Sequence, residues 1–343
     1  MRTVDGADGG GQLLRTALSL SAVTGTPFRI ENIRGERPNP GLKPQHLTAV
    51  EVMAELCGAD VESAELGAES LTFRPGDKRH TSLRADIGTA GSVTLLFDTV
   101  LPVAVVDDEP YRLTATGGTD VNWSPTIEYH RSVKFPLLAA QGVDAAIDPA
   151  RTGFYPAGGG KATLQVTPAS LSPFGLDRRG DLDGVGLYSK ASESLADRNV
   201  ADRQAAHARE ELDAAGVSAT VQRVEYVETA SPGSSLLLRA NYEHTVAGFD
   251  ALGERGRTSE AVAEDAVRRF RAFHDTAAAV DPHMADQLLV VLALVGGRVR
   301  IPALTDHVRT NLALLDRFGS DVDIDPAADG THLIEANAHP AVD

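Results

Sequence analysis

A helix-and-strand pattern that occurs three times is the feature that most constrains how this chain folds. Each copy begins as the end of an apolar helix, passes a glycine in the position of a helix C-cap, and continues as two short strands joined by a turn. These copies occupy residues 52–76, 136–168 and 312–337. A second pattern precedes each copy: small or polar residues open an apolar helix that ends in a strand. It occupies residues 9–33, 88–116 and 285–304.

The two patterns together predict an α/β (α+β) fold of three repeated units, each with two helices and four strands. One such unit leaves a helix pair and a sheet face half-covered. Three units can bury those surfaces in a common core. The repeats therefore favour one domain assembled from three similar parts.

The chain between the second and third copies follows another pattern. It contains a helix over 195–216 closed by Gly216 and a helix over 259–276 capped by Ser259, with strands between them. We therefore predict three parts: repeats one and two at 1–180, an inserted small α/β domain at 181–277, and the third repeat at 278–343.

The composition limits the class of protein. The chain has 343 residues, 42% of them hydrophobic, which is enough for a substantial core. Its single cysteine, Cys57, excludes disulfide frameworks and cysteine-rich zinc sites. No apolar run reaches the roughly 18 residues that span a membrane, and the first residues lack the apolar segment of a secretory signal. We expect a cytoplasmic protein with no membrane partner.

The charge balance is strongly acidic, with 48 Asp and Glu against 32 Lys and Arg and a formal net charge of −16. Five of the basic residues are lysines: Lys43, Lys78, Lys134, Lys161 and Lys190. An acidic, lysine-poor surface is typical of proteins from salt-rich cytoplasm, so we interpret the chain as a halophile protein. The same balance argues against broad nucleic-acid binding, which requires a basic face.

Three glycines, Gly9 to Gly11, precede the first helix and permit close approach of the backbone to a ligand. A helix N-terminus favours an anion, and Arg15 falls one to two turns inside this helix. Asp8 could coordinate a metal. A plain strand-to-helix turn with a surface arginine explains the segment equally well.

A local cluster of cations stands out in this acidic chain. Arg34, Arg37, Lys43 and His46 precede or open a helix whose first residue is Pro44. Together with the free N–H groups of the helix they could bind phosphates. The alternative is a solvated loop.

The last helix, within 302–319, begins near His307, directly before a predicted buried stripe. Its members are Val308, Leu312, Leu315 and Phe318. Asp286 and Gln287 open an apolar helix in the third copy, as Asp8 and Gln12 do in the first. A histidine in this position is usually solvent-exposed and without function. The sequence contains no H-E-x-x-H motif, no Walker A loop and no G-x-S-x-G elbow.

Seven segments carry a resemblance to a known family. They are "DGGGQLLRTALSLS", "IRGERPNPGLKPQHLTAV", "GTAGSVTLLF", "GGTD", "GFYPAGGG", "ADQLL" and "DHVRTNLALL". In this order and spacing the sequence resembles the RNA 3′-terminal phosphate cyclase family over nearly its whole length. The resemblance implies three units similar to the C-terminal domain of translation initiation factor 3, with an inserted thioredoxin-like domain.

The resemblance also implies a reaction. ATP and an RNA 3′-phosphate would give a 2′,3′-cyclic phosphate, AMP and pyrophosphate, with Mg²⁺ or Mn²⁺ as the metal. The histidine of the family's H-x-x-T-N element is adenylylated, and here it is His307, followed by Thr310 and Asn311. RNA binding is then expected to be weak and confined to the 3′ end.

The family's site residues map onto this chain one by one. Asp8 matches the acidic metal position, where the family typically has Glu. The positions implied for ATP and phosphate are Arg15, Arg34, Arg37, Gln45, His46, Asp98, His283, Met284, Ala285, Asp286 and Gln287. Asp98 stands where the family usually has a Gln that contacts the nucleotide, and His283 stands where a ring often stacks on adenine.

Two other functions compete with this one. The family includes a non-catalytic ribosome-biogenesis relative that lacks the nucleophilic histidine. Enolpyruvyl transferases use similar repeats but need six of them, whereas this chain has room for three.

Overall fold

A computed structural model describes residues 1–7 and 9–342. The predicted mixed α/β class is confirmed, because helices alternate with strands that form four-stranded mixed sheets. Within the described part of the chain, no helix is long and apolar enough to cross a lipid bilayer.

The first sheet and its helices come from the first 74 residues. Their elements are β1 (Arg2–Asp5), α1 (Gly10–Thr24), β2 (Phe28–Glu31), α2 (Pro44–Cys57), β3 (Asp60–Glu62) and β4 (Leu71–Arg74). The second sheet follows the same plan. Its elements are β5 (Ser82–Asp86), α3 (Val93–Val106), β6 (Tyr111–Gly117), α4 (Ile127–Tyr129), a π-helix (His130–Lys134), α5 (Phe135–Ala140), β7 (Asp144–Arg151) and β8 (Gly160–Thr167).

The third sheet is interrupted by an insertion. It begins with β9 (Phe174–Leu176), and the chain then builds a separate sheet. The inserted elements are β10 (Leu182–Ser192), a 3₁₀ helix (Glu193–Arg198), α6 (Val200–Ala214), β11 (Ala219–Val227), β12 (Ser234–Tyr242), β13 (Val246–Gly253) and α7 (Ser259–His274). The third sheet resumes with α8 (Pro282–Gln287), α9 (Leu289–Val295), β14 (Gly297–Ile301), α10 (Asp306–Phe318), β15 (Val322–Pro326) and β16 (His332–Ala336).

Three of the sheets have the same topology. Their orders are β1-β2-β4-β3, β5-β6-β8-β7 and β9-β14-β16-β15, with the first pair parallel and the other pairs antiparallel. The inserted sheet has the order β11-β10-β12-β13. Because β9 pairs with β14, the third sheet draws a strand from the range that the sequence assigned to the first two repeats.

The helices bring the three sheets into one core. α1 packs against α2, α3 and α10, and α3 also packs against α9. A single apolar cluster runs through all three units, while the inserted unit has its own. Each repeat therefore covers an apolar face that its neighbours would otherwise expose to water.

The predicted helix ends are confirmed in part. Gly58 and Gly319 end α2 and α10 in the left-handed region, where glycine has no steric penalty. α5 ends at Gln141 instead, one residue before Gly142. Thr258 rather than Ser259 caps α7, because the Thr258 hydroxyl accepts the Ala261 N–H.

Phe28 joins the first and third units. Its ring centroid lies 5.8 Å from that of Phe73 and 6.4 Å from that of Phe318. We expect Phe28→Ala to lower the free energy of unfolding by about 3–5 kcal/mol, because a buried aromatic leaves a cavity. Urea unfolding followed by circular dichroism measures this, with the exposed Leu66→Ala as control. Equal losses in the two variants would contradict the packing described.

Candidate active site

His307 lies at the exposed start of α10. The Thr305 hydroxyl caps this helix by accepting the Val308 N–H at 3.2 Å, so His307 is its second residue. The buried side of the helix points the other way and consists of Val308, Asn311, Leu314, Leu315 and Phe318. The predicted stripe is confirmed except at Leu312, which is half-buried. His307 is therefore held on a fixed helix yet open to a ligand.

Gln12 on α1 fixes the tautomer of His307. Its Oε1 contacts His307 Nδ1, and its Nε2 donates to Asp286 Oδ2 at 3.5 Å. Because the amide nitrogen faces a carboxylate, the amide oxygen faces the ring and accepts a hydrogen bond from the Nδ1–H group. The lone pair of His307 then resides on Nε2, the nitrogen that a nucleophile needs. The sequence analysis did not identify Gln12 as a site residue, although Gln12 and Gln287 open equivalent helices.

Asn311 connects α1, α8 and α10, the three helices around His307. Its Oδ1 accepts the Thr16 hydroxyl at 3.0 Å, and its Nδ2 donates to the Asp286 carbonyl at 3.3 Å. Thr310 lies one position earlier and bonds within its own helix, to the Asp306 carbonyl. Asn311 therefore holds α10 against α1 and α8, whereas the hydroxyl of Thr310 bonds only within α10.

The glycines before α1 make room for cations. A Cβ on Gly11 would lie 2.2 Å from His46 Nε2 and 3.2 Å from Arg15 Nη1. Gly10 has φ of +58°, and a Cβ there would lie 3.6 Å from Arg37 Nη2. Only glycine therefore allows these side chains to meet the backbone at this helix start. The anion site stays a prediction, and its candidate residues come from two separate segments of the sequence that meet at these glycines.

His46 presents a neutral N–H to this place. Its Nδ1 accepts the Lys43 N–H at 3.2 Å, so Nε2 carries the proton. Burial, followed by the charges of Arg15, Arg34 and Lys43, lowers the pKa of His46 to about 3.

Gln45 adds a second donor beside the first. Its Oε1 accepts the Ser92 N–H at 3.2 Å, so its Nε2 is the atom that lies 3.4 Å from His46 Nε2. Two donors that face each other call for a shared acceptor between them. Phosphate oxygen satisfies both.

Arg34 organises the loop before α2. Its Nη1 donates to the carbonyls of Asn39 at 2.8 Å and Gly41 at 3.2 Å. Burial and the neighbouring Arg37 lower the pKa of Arg34. Burial also lowers the pKa of Arg15, although the negative charges of Asp98 and Asp286 act to raise it. The predicted cations therefore lie close together near the N-terminus of α1.

Asp98 forms hydrogen bonds with His130 and Lys134, two residues that the sequence analysis missed. Its Oδ1 accepts from His130 Nε2 at 2.8 Å and from Lys134 Nζ at 2.7 Å, and Lys134 also donates to Gln287 Oε1 at 2.9 Å. Burial raises the pKa of Asp98, but His130 and Lys134 outweigh it and hold this pKa below its usual value.

A sequence signal for this cluster existed. His130 and Lys134 are four residues apart, so on an ordinary helix they would already share a face, and here they span a π-helix, a form frequent at functional sites.

His283 is tied to a carboxylate at the edge of the site. Its Nε2 lies 3.4 Å from Asp250 Oδ1, and its ring meets that of Tyr129 edge-on at 5.6 Å. Burial alone would lower the pKa of His283, but Asp250, Asp281 and Asp286 raise it to about 9. The imidazole is therefore an imidazolium near neutral pH.

The remaining predicted residues are placed differently. Met284 and Ala285 lie in the apolar core with 0% and 2% of their surface exposed, so their side chains face away from a ligand. Asp286 and Gln287 face the cluster around Lys134 and Gln12. Asp8 lies outside the described residues. Among residues 1–7 and 9–342, no three His, Cys, Asp or Glu side chains converge as metal ligands would.

Comparisons with known proteins agree on one family. A family model described as RNA 3′-terminal phosphate cyclase matches residues 7–323. An RNA 3′-terminal phosphate cyclase of Halobacterium salinarum is 44% identical over 98% of this chain and 100% of its own length. Those of Methylococcus capsulatus and Pyrococcus furiosus are 40% identical (98% of this chain, 97% of theirs) and 38% identical (93% of each).

Solved structures match the chain as well. The enolpyruvyl transferase NikO from Streptomyces tendae aligns with all of this chain and 50% of its own at 13% identity, with a TM-score of 0.40. A score at that level supports no conclusion about fold.

The His283–Asp250 pair predicts a pH-dependent stability. Because the pKa of His283 rises on folding from 6.5 to about 9, its contribution is complete below pH 6.5 and is lost as the pH rises through about 9. Wild type should therefore lose more free energy of unfolding over this interval than His283→Gln. Urea unfolding at several pH values measures it, with the exposed His244→Gln as control. Identical pH profiles for wild type and His283→Gln would refute the ion pair.

Proposed function

Because the chain belongs to the RNA 3′-terminal phosphate cyclase family, we propose that it uses ATP to convert an RNA 3′-phosphate into a 2′,3′-cyclic phosphate, with release of AMP and pyrophosphate. The chain is an enzyme of this family. The single observation that carries the mechanism is the contact of Gln12 with His307 Nδ1, which leaves the other ring nitrogen, Nε2, available as the nucleophile.

The first step is self-adenylylation. His307 Nε2 attacks the α-phosphorus of ATP, an N–P bond forms, the bond from that phosphorus to the bridging oxygen breaks, and pyrophosphate leaves. Gln12 accepts from Nδ1 and stabilises the positive ring that forms. Asp286, which accepts from the Gln12 amide, keeps the amide in this orientation.

Cations and amide donors around α1 receive the phosphates. Arg15 and Arg37 lie at the glycine turn, and Gln45 and His46 present N–H groups to the same place. Donors fixed before the reaction stabilise charge that develops on the leaving group without reorganising. His46 is neutral, so it contributes a hydrogen bond to this place without adding a positive charge.

Two further steps complete the reaction. A 3′-phosphate oxygen attacks the phosphorus of the histidine-bound AMP, and the N–P bond breaks to free His307. The 2′-hydroxyl then attacks the 3′-phosphorus, loses its proton, and expels AMP. This last step is intramolecular, so proximity supplies much of its acceleration.

Several finer properties belong to the same proposal. The common strand order of three sheets supports units similar to the C-terminal domain of translation initiation factor 3, and the order β11-β10-β12-β13 supports a thioredoxin-like insertion. Mg²⁺ or Mn²⁺ would assist departure of pyrophosphate, with Asp8 as its proposed ligand. We place the reaction in the cytoplasm of a halophile, in line with the net charge of −16.

The non-catalytic relative is the second candidate function. It lacks the nucleophilic histidine, whereas His307 is present, exposed and held by Gln12. We therefore favour the catalytic branch.

Covalent labelling tests the nucleophile. With α-labelled ATP and Mg²⁺ or Mn²⁺ in molar KCl, wild type should acquire an acid-labile, alkali-stable label, because a phosphoramidate bond to imidazole hydrolyses in acid. His307→Ala should acquire none. The exposed His80→Ala is the matched control and should label like wild type. Label in His307→Ala would show that another residue is the nucleophile. The absence of label in every variant would favour the function of the non-catalytic relative.

A second variant tests the tautomer argument. Gln12→Leu should slow self-adenylylation by about 100-fold, because a misoriented nucleophile loses near-attack geometry. Thermal unfolding should change little, since Gln12 is only half-buried. Single-turnover labelling measures the rate, with Gln222→Leu in the inserted unit as control. If Gln12→Leu labels at the control rate, Gln12 does not orient His307.

A further inference from the structure

The outward side of the second sheet carries cations and hydroxyls in register. Thr114 pairs with Arg84 on one side and Thr163 on the other, and Thr116 pairs with Lys161. The intervening side chains, Leu83, Leu113, Ala115, Ala162 and Leu164, are buried, so their neighbours along each strand point outward. The second-sheet face comprises Arg84, Arg112, Thr114, Thr116, Lys161 and Thr163, and Asp148 of the edge strand β7 lies opposite Thr163.

This face is a trough with exposed positive charge. It encloses about 710 Å³, and Asp86 is the one acidic residue that lines it. Arg84, Arg112 and Lys161 are exposed, and within residues 1–7 and 9–342 none of them forms an ion pair. In a chain of net charge −16, three such cations on one face are unusual.

The first sheet provides an internal comparison. It has the same topology, and its outward cations are neutralised. Arg29 pairs with Glu31 at 2.8 Å, and Arg74 pairs with Glu62 at 2.8 Å and with Asp60 at 3.3 Å. The fold therefore does not require free cations on such a face.

The third sheet repeats the comparison. Arg298 lies 3.3 Å from Asp177, and Glu335 pairs with Arg298 across the strands. Asp323 and Asp325 alternate with Val322 and Ile324 along the neighbouring strand β15. Arg300 on β14, the strand of Arg298, forms no ion pair among the described residues, but it donates to the Asp177 carbonyl and the Thr331 hydroxyl. As far as the described residues show, the second sheet is the one among the three repeated sheets with three exposed cations that lack an ion pair.

The second-sheet face leads into the active site. β5 ends at Asp86, and the following loop reaches Ser92, whose N–H donates to Gln45. A Cβ on Gly91 would lie 2.9 Å from Gln45 Cβ. The turn before β8 packs on the same loop, since a Cβ on Gly158 would lie 2.8 Å from Ala90 Cα. The end of β5, which carries Arg84, and the start of β8, which carries Lys161, therefore both lie at the loop that holds Gln45.

We propose that the second-sheet face binds the phosphodiester backbone of the RNA strand that leads to the reactive 3′ end. This inference rests on the proposed function for its choice of RNA. Lysine, arginine and threonine bind phosphate oxygens, and the face offers no aromatic side chain on which a base could stack. Binding is therefore independent of sequence, and the acidic surface elsewhere directs the strand to this face.

Direct binding measurements test the proposal without any need for catalysis. Fluorescence anisotropy is recorded with 3′-phosphorylated RNA of about 4 and about 20 nucleotides, over about 0.2 to 1 M KCl. The variant R84Q/R112Q/K161Q is compared with R29Q/R74Q/R298Q, which removes the same charge from the other two sheets. Circular dichroism confirms folding of both at each salt concentration, and R84K/R112K/K161R tests whether charge suffices.

We expect a selective loss. For the long RNA, the slope of log Kd against log salt should fall in magnitude by about two in R84Q/R112Q/K161Q, since each phosphate contact contributes about 0.7. The short RNA, the control variant and the charge-preserving variant should behave like wild type. Equal affinities of R84Q/R112Q/K161Q and the control for long RNA would overturn the proposal and leave the face to an acidic protein partner.

Failure of the proposed function would look different. It would appear as absent ATP-dependent labelling of wild type, whatever the binding data show. R84Q/R112Q/K161Q should label as wild type does in the absence of RNA, because these cations do not contact His307 or Gln12.

Discussion

The packing of α1 against helices of all three units is the constraint on which the rest of the structure depends. Its first two turns carry Gln12, which contacts His307, Thr16, which donates to Asn311, and Arg15, which lies near His46. The first two residues join α1 to α10, and the third faces α2. A small shift of α1 would therefore disturb the proposed nucleophile and the proposed anion site together.

Burial of charge gives the site its electrostatic character. Lys134 is 1% exposed, and its burial is tolerated because Asp98 and Gln287 accept hydrogen bonds from its ammonium group. Asp98 would accept from a nucleotide only through Oδ2, which is buried and has no hydrogen-bond partner among the described residues. The carboxylate is thus mainly a structural counter-ion here, where the family resemblance implies a glutamine that contacts the nucleotide.

The repeats show how one fold carries different surfaces. Three sheets share strand order and direction, yet Arg29, Arg74 and Arg298 form ion pairs on the first and third sheets, whereas Arg84, Arg112 and Lys161 on the second form none among the described residues. Backbone topology depends on the buried alternate positions, whereas the exposed positions are free to vary. A strongly acidic protein can therefore keep a local basic surface at little cost to its fold.

The sequence by itself determined the mixed α/β class and the threefold pattern, because apolar periodicity and glycine caps are local signals. It also pointed to His307 and to the cations before α2. The sequence did not reveal that β9 belongs to the third sheet, since β9 pairs with β14 on the far side of the insertion. Only the tertiary structure decided that Gln12 meets His307, 295 residues away, and that Lys134 occupies Asp98. The reason is physical: hydrogen bonds between distant segments depend on how the helices pack, and no local pattern records that packing.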